Sequence, residues 1–455
     1  MNHASTVIKF VLICFLLYIG FSALSFVFSF SWQPFQNINL LADVIHADKS
    51  TGVTKEKNNK ETTEVNVYIA PSVIKRFEVY QYPGVITDFN SQNKQAALLG
   101  LMQKLHTLKA TGKGKVRIAY FGDSMIEGDL ITQTIRKLLQ KEFGGNGVGY
   151  LPVTSPVAKF RTTASTMATG NWEDINFKSK KHNSLFLSGH QFLGNTDAEV
   201  TFIDRTADSS ALLNKILLFG TVHTENNEVD LEANGNKIFL HSNGEFNTLM
   251  YSKDGSPKLK LSRFGYSLPL YGVSFESENG VIVDNFSFRG ITGIELNQID
   301  SSFLQQVAGS HSYDLIVFQY GVNMLFRPED KNFSWYGRAF RPVLDKFKKS
   351  FPNSNMILVS TADRAFRYNG TYESAHGIDS LIKVQAGIAF NCGIGFYNQF
   401  ETMGGHESIV RWADSTPSLA NKDYVHPNFR GAELLGNYFY EALMKDYKKY
   451  TTNLP

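Results

Sequence analysis

A short apolar strand that ends in a tight turn and leads into residues at helical spacing restricts this fold most, because the unit recurs along the chain. Val116-Arg117-Ile118-Ala119-Tyr120-Phe121 is the strand and Gly122-Asp123-Ser124 the turn. Ile126, Leu130, Ile131, Ile135, Leu138 and Leu139 then mark a helix face. Residues 315–318 running into Gly321-Val322-Asn323 repeat the strand and turn, 356–359 form another strand, and 432–444 read as a terminal amphipathic helix. Apolar strands of this kind need cover on both faces, and helices between parallel strands supply it. The predicted class is α/β.

Between 152 and 284 the pattern changes to short alternating runs such as Glu199-Val200-Thr201-Phe202-Ile203, 215–219, 237–240 and 280–283. Asn234-Gly235, Asn243-Gly244 and Asp254-Gly255 punctuate them. This predicts an all-β insertion within the α/β domain. Ahead of it, Ala97, Leu98, Leu101 and Leu105 predict a helix over 95–108.

No charged residue occurs from Phe10 to Trp32, a run long enough to cross roughly 30 Å of hydrocarbon as a helix. It exceeds a usual signal-peptide core and lacks a small-residue cleavage site, so an uncleaved anchor is expected. Ile13 before Cys14 argues against lipidation. With Lys9 setting the orientation, the globular part is expected on the exported, extracytoplasmic side. The Lys-, Glu-, Asn- and Thr-rich segment that follows reads as a flexible tether. The expected organisation is anchor 1–32, tether 33–75, first part of the α/β domain 76–151, β insertion 152–284 and second part 285–455.

A net charge of +3 with scattered basic residues excludes a nucleic-acid backbone as partner. Cys14 and Cys392 cannot build a disulfide framework or thiolate cluster, and the histidines form no ligand-spaced pair, so neither metal nor cofactor is expected.

Ser124, at a strand-to-helix junction, is placed to act as a nucleophile, although serine there also suits a helix cap. A base is available in Asp423-Tyr424-Val425-His426, where the aspartate reaches the ring three residues on. Acyl transfer also needs donors for an oxyanion. Gly290-Ile291-Thr292-Gly293 and Gly321-Val322-Asn323 offer glycine amides and an uncharged side-chain amide.

Gly122-Asp123-Ser124, Gly293, Gly321-x-Asn323 and Asp423-x-x-His426 together resemble the SGNH or GDSL hydrolase superfamily in chain order. That resemblance implies a flavodoxin-like three-layer sandwich. It makes Ser124 the nucleophile, Asp423 and His426 its partners, and the Ser124 amide, Gly293 and Asn323 the oxyanion hole. Asp123, Gly290 and Gly321 become candidate substrate contacts. The family's second block usually has an asparagine before its glycines, where this chain has Phe288-Arg289.

The stretches Ile126-Glu127-Gly128-Asp129, Phe143-Gly144-Gly145-Asn146-Gly147-Val148-Gly149-Tyr150, Tyr271-Gly272-Val273 and Met403-Gly404-Gly405 through Arg411-Trp412 look like bacterial peptidoglycan O-acetylesterases. Their exported relatives include polysaccharide O-acetyltransferases that work with a membrane-bound O-acyltransferase. The resemblance implies an O-acetylated glycan substrate and a jelly-roll-like, carbohydrate-binding insertion. A glycan-binding protein without catalysis is the alternative from another class. Trp172, Tyr251, Tyr266 and Tyr271 are candidate sugar-stacking residues, and His406 and Arg327 candidate substrate contacts.

Overall fold

In the computed structural model, six strands form one sheet: β1 (Ile86–Asp88), β2 (Lys115–Gly122), β3 (Gly280–Ser287), β4 (Leu315–Gln319), β5 (Asn355–Val359) and β6 (Gly395–Tyr397), in the order β1-β6-β5-β4-β2-β3. The structure describes residues 77–90, 96–180, 184–208, 212–265 and 268–454, so the expected anchor, the tether and Tyr266 lie outside it. Among the described residues, no helix is long and apolar enough to cross a membrane.

Only β1 runs antiparallel to its neighbour; β2 to β6 pair in parallel. Read in chain order, these five follow the flavodoxin-like order 2-1-3-4-5. The strand pleat alternates side chains between two cores. Val116, Ile118 and Tyr120 of β2 join Leu315 and Val317 of β4 on one face. That face is covered by α1 (Leu99–Thr111), α2 (Thr132–Phe143) and α6 (Phe429–Thr452). The other face carries Phe121, Phe286 and Phe318 under α3 (Ser301–Ser310), α4 (Ser334–Ser350) and α5 (Ile378–Cys392). Phe121 lies 5.0 Å from Phe286 and 5.4 Å from Phe318, centroid to centroid. Each such buried ring stabilises the sheet by roughly 1.5–3 kcal/mol.

The insertion is a β-sandwich of two antiparallel sheets with its own core, including Phe192, Val200, Phe202, Leu217, Leu231 and Phe275. Two expectations are corrected here. Gly149–Leu151 already belongs to the sandwich, pairing with Pro269–Glu276, so the insertion starts before 152. Residues 280–283 do not belong to it: Gly280–Ser287 pairs in parallel with β2 over its whole length. The cause is a strand buried at seven of its eight positions, which an apolar run cannot assign to one sheet or another. Glu276, at the sandwich's exit, forms a buried ion pair with Arg117 of β2 at 2.6 Å, which fastens the sandwich to the sheet.

Candidate active site

The order of the parallel strands reverses between β2 and β4, and in such sheets ligands bind beyond the strand carboxyl ends at that point. Gly122-Asp123-Ser124 leaves β2 there, and Gly321-Val322-Asn323 leaves β4. The helix expected directly after Ser124 starts only at Thr132. In between lie a bend and one 3-10 turn, Glu127–Asp129, so Ser124 is not the first residue of α2.

What holds this turn is a buried polar network. Asp129, with a φ of 69°, takes bonds from Arg136 at 2.6 and 2.9 Å and from Thr163 at 2.6 Å. Arg136 also donates to the Val283 carbonyl of β3, and Asn285 donates to the Ile126 carbonyl at 2.8 Å. Arg136 and its neighbours hold the Asp129 carboxylate well below its usual range against the opposing effect of burial. Arg289 pairs with Glu127, so the arginine before the second-block glycines ties that loop to the Ser124 turn.

Ser124 Oγ lies 2.8 Å from His426 Nε2, and His426 Nδ1 lies 2.7 Å from Asp423 Oδ2. Asp423 Oδ1 accepts from the Val425 and His426 amides, each at 3.0 Å. Burial alone would raise the Asp423 pKa, but the ring and the two amides outweigh it and the carboxyl sits below its ordinary value. Ionised Asp423 therefore fixes the His426 tautomer with Nδ1 protonated and Nε2 free to accept from serine. Ser124 is 7% exposed, while His426 is half-buried and the Asp423 carboxylate faces solvent.

Asn323 reaches the same place with both amide hydrogens engaged. Its Nδ2 donates to Asp123 Oδ2 at 3.1 Å and to the Ile291 carbonyl at 2.9 Å. Asn323 can donate to an oxyanion only by exchanging or sharing one of these bonds. Asp123, a candidate substrate contact from sequence, is fully buried. It accepts from the Met125 amide at 2.9 Å and holds Asn323 instead, and burial pushes its pKa up to about 7. A small polar side chain in a loop carries no sequence signal of burial, which explains that miss.

The two second-block glycines are not equivalent. Gly290 is exposed, whereas Gly293 is buried at a φ of 89°, where a Cβ would lie 2.6 Å from the Tyr320 ring. Gly321, at 150°, leaves no space for a Cβ beside Thr361. Buried Gln385 bonds the Tyr320 carbonyl at 2.7 Å and the Thr361 amide at 2.8 Å, locking the loops after β4 and β5 together.

The weaker candidates disperse. Tyr271 is buried, its hydroxyl bonded to the Ser184 and Glu245 carbonyls, so it cannot stack on a sugar. Trp172 packs edge-on against Phe264 and Tyr251 bonds the Ala233 carbonyl, both half-buried within the sandwich. His406 pairs with Asp379 at 3.1 Å, and Arg327 lies over Phe326. A cleft of about 250 Å³ is lined by Asn176, Lys178 and His190 from the sandwich and by Glu127, Ser287 and Arg289 from the sheet domain. Among the described residues, no three His, Cys, Asp or Glu side chains are grouped to hold a metal.

By sequence, no known family profile and no curated protein matches the chain. By structure, it is similar to a peptidoglycan O-acetylesterase with a TM-score of 0.68 and 20% identity, covering 80% of this chain and 99% of that one. An acetyl xylan esterase aligns at a TM-score of 0.29 and 14% identity over 36% of this chain and 81% of its own. A family two carbohydrate esterase from Cellvibrio japonicus aligns at 0.26 and 10% identity, covering 63% and 99%. Of these three, the first is extensive enough to define a fold. The fold resemblance implied by the motif series is thus present, including the inserted sandwich.

Proposed function

We propose that the chain is a serine esterase that removes O-acetyl groups from a cell-envelope glycan such as peptidoglycan, acting from a membrane tether on the exported side. The observation that carries this reading is the Ser124–His426–Asp423 relay, closed at 2.8 and 2.7 Å at the sheet's switch point. The glycan and its acetyl ester come from the fold shared with a peptidoglycan O-acetylesterase. The tether rests on the uncharged run from Phe10 to Trp32.

In this mechanism His426 Nε2 takes the Ser124 proton as Oγ attacks the acetyl carbonyl, and Asp423 stabilises the imidazolium that forms. Amides of Ser124 and Gly293, with the Asn323 side chain, take the oxyanion, Asn323 giving up one of its present bonds. His426 then returns the proton to the departing sugar hydroxyl. Water, deprotonated by the same imidazole, attacks the acetyl-serine, releasing acetate and restoring Ser124.

The test is acetate release from O-acetylated peptidoglycan by the wild-type chain and by Ser124→Ala, with alkali-deacetylated peptidoglycan as blank. Release that requires both the ester and Ser124 is expected. Acetyl transfer onto an added glycan in place of acetate release would make the chain a transferase. No reaction of either kind would leave a glycan-binding role and overturn the esterase reading.

A further inference from the structure

Two loops that carry the proposed chemistry leave different parts of the fold: Asn323 follows β4, and His426 precedes α6. Both touch residues 364–375, a segment outside the large sheets that contains the hairpin Ala365–Tyr368 and Thr371–Ser374. Arg364 Nη1 donates to the Val322 carbonyl, next to Asn323, at 2.7 Å. One residue on, the Ala365 amide donates at 3.0 Å to the carbonyl of Tyr424, inside the Asp423–His426 loop. At the hairpin's far end, Tyr372 stacks on Tyr424 with centroids 4.0 Å apart and planes 30° apart.

Tyr424 needs such support. Its φ of 54° is a left-handed conformation that non-glycine residues rarely adopt unless their surroundings impose it. Arg364 is itself built in: its guanidinium lies 4.8 Å from the Phe366 ring, its Nε is buried without a hydrogen-bond partner, and its backbone carbonyl accepts from Ala375.

Resting on the esterase reading above, we infer that Arg364 and the 365–374 hairpin form a clamp that sets the base loop and the Asn323 loop in register with each other. Arg364 is a positioning residue: its side chain acts through the Val322 carbonyl, while the adjoining Ala365 amide and the Tyr372 ring hold Tyr424. A fixed spacing between the base and the oxyanion donor matters only once the acyl group is reacting. Loss of the clamp therefore lowers kcat and leaves KM for a small ester unchanged.

The experiment is p-nitrophenyl acetate hydrolysis by wild type, Arg364→Met, Arg364→Lys and Tyr372→Ala, with kcat, KM and Tm recorded for each. Arg364→Met is expected to lower kcat on the order of 10- to 100-fold at constant KM, as small misplacements do. Arg364→Lys restores part of kcat. Tyr372→Ala, on the exposed hairpin, lowers kcat with the fold retained and covers the case in which Arg364→Met does not fold. Wild-type kcat in Arg364→Met or in Tyr372→Ala, or a raised KM in place of a lowered kcat, would overturn the inference. A wild-type chain inert toward this ester would instead refute the esterase reading beneath it.

Discussion

Replacing Asp123 with asparagine changes one buried charge and almost no volume. Burial pushes the Asp123 carboxyl up to about 7, against an ordinary value of 3.8, despite its bonds from Met125 and Asn323. At about 1.4 kcal/mol per pH unit, the ionised form costs the folded state about 4 kcal/mol once pH is well above 7. The sign follows from proton counts. Between pH 4 and 7 the folded chain holds a proton that the unfolded chain has lost, so this residue's contribution to stability falls as pH rises through that window. Asp123→Asn removes the titration. It also places an amide donor against Asn323, a penalty that is the same at every pH. Urea unfolding of both proteins between pH 4 and 9 separates the two effects: the variant's stability relative to wild type should climb by about 4 kcal/mol across the window and then level off. A difference that stays flat from pH 4 to 9 would refute the claim that Asp123 carries a penalised buried charge.

Asn323→Ala removes a donor to the oxyanion and leaves Asp123 and Ile291 without their shared partner; kcat for p-nitrophenyl acetate should fall about 10²- to 10³-fold. Gly293→Ala should destabilise by about 2–4 kcal/mol, because the new methyl meets Tyr320 in a left-handed backbone, and Gly290→Ala, whose nearest neighbour is Lys178 at 3.8 Å, by only about 1 kcal/mol. Comparing the two by thermal unfolding checks which glycine the packing requires. Arg136→Met strands the buried Asp129 carboxylate with Arg161 as its remaining cation and should cost about 3 kcal/mol, measured by denaturant unfolding.

Much of this was legible in the sequence wherever local chemistry and chain order agreed. The turn at Gly122-Asp123-Ser124 ends a strand whose two faces alternate between two cores, and Asp423-x-x-His426 closes its hydrogen bonds within four residues. Features that depend on distant partners were not legible. Gly280–Ser287 reads like the sandwich strands before it, and only its parallel register with β2 places it in the other sheet. The helix expected at Ile126 is displaced to Thr132 because Asp129 is drawn into a left-handed turn by Arg136 and Thr163. Arg364 gave no signal at all, since its value lies in a carbonyl 42 positions earlier and a loop that starts near the chain's end.

The central claim is that Ser124 is a nucleophile activated by His426. Labelling the intact protein with a fluorophosphonate and mapping the modified peptide tests it most directly, with His426→Ala beside wild type. The account predicts a single adduct on Ser124 that forms rapidly in wild type and is lost or greatly slowed in His426→Ala. Wild-type protein that stays unlabelled, or an adduct on any other residue, would contradict it.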